Sequence, residues 1–127
     1  MNYLGIDYGL KQTGLALATG PLAEPLASVD TGKAFEFISR LVEKHSVKAI
    51  IIGIPDGPVR SRVQKFVDGL QSLGCQIIVV EETLSSHDAR QSLSHTSLTR
   101  RQSREHAVAA AIILQSWLDS QQVSGHT

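Results

Sequence analysis

Apolar and polar positions change period part-way along the chain. From Asn2 to Asp7 they alternate, with Leu4 and Ile6 on one side and Tyr3, Gly5 and Asp7 on the other, which predicts a strand. Gly9-Leu10-Lys11-Gln12 reads as a turn, and Thr13 to Ala18 returns as a second strand with Leu15 and Leu17 on one face. Thr19-Gly20-Pro21 is another turn. Ala23 to Val29 predicts a third strand, and Pro25 confines it to a sheet edge, because proline has no N–H for a neighbour.

Beyond these residues the spacing turns helical. Asp30 or Thr31 can cap a helix to about His45, with Ala34, Phe37, Ile38, Leu41 and Val42 as its apolar stripe. Lys48 to Ile54 is short, β-branched and unalternated, as expected of a strand covered on both faces. Pro55-Asp56-Gly57-Pro58 is a break. A second helix follows with Val59, Val63, Phe66, Val67, Leu70 and Leu73 at helical spacing, closed by Gly74. Gln76 to Val80 predicts another buried strand. Ser85-Ser86-His87-Asp88 resembles a capping box opening a short helix to about Leu93, and His95 to Thr99 a loop. The last helix is expected from near Arg104 through Leu118, with residues 120–127 as a frayed polar tail.

A three-stranded meander followed by strand–helix units predicts an α/β fold. The expected sheet is five-stranded and mixed: an antiparallel meander plus two parallel strands, with helices on both faces. Right-handed crossovers place the later strands on the far side of the first. The carboxyl ends of such parallel strands open onto one crevice. Asp7, the Pro55–Pro58 segment and Glu81-Glu82 all fall at that edge.

At 127 residues the chain suits a single domain, 1–127. Twelve Lys and Arg balance twelve Asp and Glu, so the net charge is zero. This argues against a wholly basic nucleic-acid coat but leaves room for a local basic face. An apolar content of 42% with 19% charged residues suits a soluble globule and excludes a disordered chain. The longest strongly apolar run, Ala107 to Leu114, is too short to span a bilayer. The first five residues lack the basic-then-apolar order of a secretion signal. The lone Cys75 can form neither an internal disulfide nor a thiolate metal cage. A cytoplasmic protein without membrane contact is the expectation.

Several residues could carry chemistry. Asp7, between Gly5 and Gly9, reads either as a turn former or as a metal ligand, with Gly9 and Gly14 admitting a phosphate backbone or a nucleotide. Glu81 and Glu82 point to opposite faces of their strand, and parity alone does not choose between them; acidic bias at a helix start is the alternative. Lys11, Arg60, Arg62 and Lys65 form one basic group and Arg100, Arg101 and Arg104 another. Each reads as a solvated face or, around the crevice, as phosphate contacts. His106, at the opening of the last helix, reads as a packing or capping residue or as a ligand. Phe66 and Trp117 lie at core spacing, and Cys75 reads as a small buried hydrophobe.

Taken in order, Gly5-Ile6-Asp7-Tyr8-Gly9, Lys11 and Gly14, Ile52-Gly53-Ile54-Pro55, Glu81-Glu82-Thr83-Leu84-Ser85, and Ala109-Ala110 with Ile113-Leu114-Gln115 resemble the YqgF/RuvX family. That family is described as pre-16S rRNA nucleases or Holliday-junction-resolvase-like proteins. The resemblance runs from Tyr3 to about Asp119 and implies an RNase H-like fold and a divalent-metal nuclease acting on structured nucleic acid. It implies Asp7 as the first acidic ligand and Glu82 as the second. His106 occupies the position of a third, usually an aspartate three residues before the Ala-Ala pair. Thr83 stands where the family has an arginine, and the loop after Pro55 is shorter.

The implied chemistry is phosphodiester hydrolysis with Mg2+ or Mn2+, held by Asp7, Glu82 and His106. Imidazole is softer than carboxylate and brings no negative charge, so weaker binding of a second ion and better tolerance of Mn2+ than of Mg2+ are expected. Lys11 would hold a substrate phosphate, with Arg60 and Arg62 positioning the strand. The partners implied are nucleic acid, as pre-rRNA or branched DNA, and ribosomal precursor particles, with the chain a monomer or homodimer. Two other readings compete. One is a two-domain ATPase sharing this fold core, for which the chain is too short. The other is a module that grips RNA or DNA without cutting it.

Overall fold

The computed structural model describes residues 2–54, 60–81 and 98–125, with side chains over 2–54, 60–80 and 105–121. In chain order the elements are β1 (Asn2–Asp7), β2 (Gln12–Ala18), β3 (Ala23–Asp30), α1 (Thr31–His45), β4 (Val47–Ile54), α2 (Arg60–Leu70), a 3-10 turn (Gln71–Leu73), β5 (Gln76–Glu81) and α3 (Leu98–Gly125). The predicted break at Pro55–Pro58, the helix at 85–93 and Glu82 lie outside the described residues.

The strands form one five-stranded sheet in the order β3-β2-β1-β4-β5. β1 and β2 pair antiparallel, as do β2 and β3, while β4 runs parallel to both β1 and β5. This is the expected mixed sheet with its two crossover strands beyond the first. Pro25 sits on the edge strand β3, opposite Ala16, where the register slips between Leu15 and Ala16. β5 departs from expectation. It is the other edge strand, and Val79 is 45% exposed, because strand order leaves it a neighbour on one side only.

Side-chain alternation divides the core in two. Leu4, Ile6, Leu15, Ile50 and Ile52 face α1 and α2, where Ala34, Ile38, Leu41, Val63, Val67 and Leu70 cover them. Ala16, Ala18, Ala49 and Ile51 face α3, against Ala110, Ala111, Ile113 and Leu114. β4 supplies both clusters, which explains its unbroken apolar run. Phe37, placed in the α1 stripe by its spacing, lies at the stripe's margin and is partly exposed.

Helix ends follow local chemistry. α1 stops where Ser46 turns left-handed and its N–H returns to the Val42 carbonyl. Gly74, at φ 82°, closes the 3-10 turn after α2. α3 is longer than its apolar pattern predicts at both ends. Residues 99–104 and 119–124 contain neither glycine nor proline, and their Arg and Gln favour helix even without a stripe to bury. Among the described residues no helix is long and apolar enough to cross a membrane.

Candidate active site

Asp7 is the last residue of β1 and lies level with Gly14 on β2 and Gly53 on β4. It is fully buried, and its face is the one that α3 covers. An unpaired carboxylate there would be costly. Its partner comes from the other end of the chain: His106 Nδ1 lies 3.0 Å from Asp7 Oδ2. With Asp7 ionised the carboxylate can only accept, and the donor of this bond is then His106 Nδ1–H. Nε2 is then the ring nitrogen left to meet a cation or a proton, on a side chain that is 24% exposed.

Glycines create this meeting. A Cβ on Gly14 would lie 1.9 Å from the His106 carbonyl oxygen and 2.6 Å from the Ala107 nitrogen. A Cβ on Gly5 would lie 2.7 Å from the Ala110 oxygen. The backbone of α3 therefore rests directly on β1 and β2. Gly14 had been expected to make room for a phosphate or nucleotide; the space beside it is filled by the helix backbone instead. Gly9 is hemmed in by Gln12 O and by His106 Cε1, the latter 3.0 Å from where its Cβ would be. His106 also differs from expectation in position. It lies about two turns inside α3, so its own N–H belongs to the helix ladder and it caps nothing.

The basic candidates surround this end of the sheet. Lys11 is exposed on the turn that follows Asp7. Arg60 and Arg62 are exposed on the first turn of α2, with Lys65 exposed one turn later. The Tyr8 and Phe66 rings, 5.1 Å apart, bind that helix to the end of β1, and Arg62 precedes Phe66 by one helical turn. Arg100, Arg101 and Arg104 belong to the α3 span, but their side chains lie outside the described residues, as does Glu82. Among the described residues no group of three or more His, Cys, Asp and Glu could hold a metal ion. Asp7 and His106 supply a hard oxygen and a borderline nitrogen, donor types that a divalent cation takes, but in this structure the two are bonded to each other through Nδ1 and Oδ2.

Two further polar residues, Thr13 and Thr31, belong to this region. Thr13 is fully buried, and its hydroxyl lies 2.9 Å from that of Thr31. Thr31 was read as a helix cap, with Asp30 as the alternative. Asp30 takes the N-cap position without a side-chain bond, and the Thr31 hydroxyl turns outward to the Gly9 carbonyl, 2.6 Å away. The available signal was parity: Thr13 shares the strand face of Leu15 and Leu17, so it is a polar residue in an apolar row.

The sheet order, the antiparallel meander and the helices on both faces define an RNase H-like fold. Solved structures agree in architecture. T. thermophilus RuvC in complex with a Holliday junction substrate superposes with a TM-score of 0.61 at 13% identity, covering 96% of each chain. The fowlpox virus resolvase bound to Holliday junction DNA superposes at 0.58 and 16% identity, covering 95% of this chain and 99% of that one. Within this class a family model, RuvX, described as Holliday junction resolvase, matches residues 1–120, and the chain belongs to that family. Curated relatives include proteins named "Putative pre-16S rRNA nuclease" from Chloroflexus aggregans, 32% identical over 92% of both chains, and from Gloeobacter violaceus, 34% identical over 94% of this chain and 84% of the relative.

Proposed function

We propose that the chain is a metal-dependent nuclease that hydrolyses phosphodiester bonds of structured nucleic acid, with the precursor of 16S rRNA, at its 5′ end, as substrate. The observation that carries this reading is the fully buried Asp7 carboxylate, paired at 3.0 Å with an imidazole from the last helix, at the carboxyl end of the central strand. Such a carboxylate contributes nothing to the hydrophobic core and costs desolvation, so its place at the crevice calls for a role in binding or chemistry.

Asp7, His106 and Glu82 are the proposed ligands. Ile78 and Val80 pack on the α3 side of the sheet with Asp7, and the choice of Glu82 over Glu81 rests on the family motif Glu81-Glu82-Thr83-Leu84-Ser85. A divalent cation held by these three would supply Lewis-acid activation of water and neutralise charge at the leaving oxygen. The protein's own groups do the rest. In the structure Asp7 Oδ2 lies 3.0 Å from His106 Nδ1, and a cation taken by both residues would replace that contact. Lys11 neutralises a phosphate close to Asp7, and Arg60 and Arg62 hold the flanking backbone. With imidazole in the third position the site favours Mn2+ over Mg2+.

The test incubates the purified protein with precursor 16S rRNA and with a four-way DNA junction, each with Mg2+ or Mn2+. Cleavage of the RNA, faster with Mn2+ and abolished by Asp7→Asn, is the expected result. Exchanging His106 for Asp should shift the preference toward Mg2+. Cleavage confined to the junction would move the substrate to DNA. Metal-insensitive binding without cutting, unchanged by Asp7→Asn, would overturn the catalytic reading.

A further inference from the structure

The turn between β1 and β2 carries Lys11 and lies against the His106 ring at Gly9, and its backbone carbonyls at Gly9 and Lys11 are held from outside the turn. Its restraints come from Thr31, the first residue of α1. The Thr31 hydroxyl lies 2.6 Å from the Gly9 carbonyl, and the Thr31 backbone N–H donates to the Lys11 carbonyl at 2.9 Å. One residue thus secures both ends of Gly9-Leu10-Lys11. Proton counting orders the hydroxyls. A carbonyl can only accept, so Thr31 must give its single proton to Gly9. Thr13 must then donate to Thr31 across their 2.9 Å separation, and Thr13 is fully buried in β2. The relay runs from the strand, through the helix start, to the turn.

We propose that Thr31 is a positioning residue: with Thr13 behind it, it holds the Gly9–Lys11 turn so that Lys11 meets a substrate phosphate beside the Asp7–His106 pair. This rests on the nucleic-acid reading above and adds the device that makes Lys11 effective. An exposed lysine on an untethered turn would lose much of its contact to the entropy of ordering the turn at binding. The tether removes that cost beforehand. Threonine suits the position because its hydroxyl sits on a β-branched carbon with few rotamers.

Two measurements test this, one of which needs no nucleic acid. Backbone 15N relaxation of the free protein follows Leu10 and Lys11 against core amides such as Ile6 and Ile52. In Thr31→Val, which keeps the shape and loses the hydroxyl, the order parameters of the turn amides should fall below about 0.6 while the core stays at about 0.85. Thr31→Ser should restore them. Binding of a fluorescein-labelled RNA hairpin across a salt series, without added divalent ions, supplies the second readout. Lys11→Ala should reduce the slope of log affinity against log salt by about one, as for one lost phosphate contact. Thr31→Val should weaken binding in the same direction, Thr31→Ser should not, and the double variant should be no weaker than Lys11→Ala.

Unchanged order parameters in Thr31→Val overturn the tether. Lower order parameters with wild-type hairpin binding, in a protein whose Lys11→Ala variant does bind more weakly, overturn the positioning role alone. A Lys11→Ala variant that binds as wild type does overturns the phosphate reading of Lys11 and the positioning role with it. Should Thr31→Val lower the melting temperature by more than about 5 °C, as a loss near 1 kcal/mol would, Thr13→Val decides. Loss of its donated hydrogen bond should lower the order parameters of the same turn amides, and unchanged values there overturn the proposal.

Discussion

The two faces of the sheet are packed by different rules. Toward α1 and α2 the sheet presents Leu4, Ile6, Leu15, Ile50 and Ile52, all fully buried, and the space between the layers is filled by branched side chains. Toward α3 the sheet presents Gly5, Gly14, Ala16 and Ala18 to Ala107, Ala110 and Ala111 around the candidate site, while Ile51, Ile113 and Leu114 fill the rest of that face. The first face is built for volume and the second for approach. Apolar area removed from water stabilises the first at roughly 25 cal/mol per Å2. On the second, small residues let the backbone of α3 descend until the side chain of His106 reaches Asp7. The candidate site therefore lies on the approach face.

The sharpest way to break this contrast is to add a methyl group to the approach face. At Gly14 a Cβ would meet His106 O at 1.9 Å and His106 C at 2.0 Å, atoms of a helix backbone that cannot rotate aside. Gly14→Ala should cost about 3 kcal/mol or more, at the upper end of overpacking. Survivors should have α3 displaced and the His106 ring withdrawn from Asp7, read from urea unfolding and from the imidazole proton resonances. Gly32→Ala is the control. Nothing lies within 4 Å of its added Cβ, inside α1, so stability should rise by up to about 1 kcal/mol. A tolerated Gly14→Ala would show that α3 is not seated as described.

On the volume face the sensitivity reverses, and removal is what hurts. Ile52 is fully buried between the registers of Ile6 and Val79. Ile52→Ala should cost about 2–4 kcal/mol and Ile52→Val about 0.5–1.5 kcal/mol, in proportion to the cavity each leaves. Both variants should keep the Asp7–His106 contact, because neither touches α3. If Ile52→Ala displaced the His106 resonances as strongly as Gly14→Ala, the two faces would be one mechanical unit and the contrast would fail.

The volume face was legible in the sequence, since alternation in β1 and β2 and the unbroken run in β4 are direct consequences of burial. The approach face was legible only as composition. Glycine at positions 5 and 14 signals freedom of some kind, and a reading from chemistry gave Gly14 to a ligand rather than to a helix backbone almost a hundred residues away. The same limit applies to α3, whose ends carry no apolar stripe and so fell outside a reading based on periodicity. Motif order singled out His106 together with Asp7, but the bond between them is a long-range contact that no local pattern encodes. Of the two residues offered as caps, Asp30 takes the position, and only the fold shows that the Thr31 hydroxyl serves the turn beside it.

The smallest effect belongs to Cys75, at the margin of the volume face, where it packs against the α1/α2 cluster while remaining half-buried. Burial pushes its thiol above the ordinary value, with a backbone hydrogen bond opposing in part. Because the folded value is raised, the sign of the pH dependence follows. Below the ordinary thiol range both the folded and unfolded chains hold the proton, and this group contributes its full stability. As the pH rises past about 8.5, the unfolded chain releases its proton first, and stability declines until the folded value is passed. Wild type and Cys75→Ala should therefore show a constant difference in urea midpoint between pH 6 and 8, which narrows or changes sign near pH 10. Alkylation by iodoacetamide at pH 7 should also be slower than for a free thiol, because the thiolate is the reacting form. Rapid alkylation at neutral pH would mean that the margin of the volume face opens to water, and the boundary between the two packing rules would have to move inward from β5.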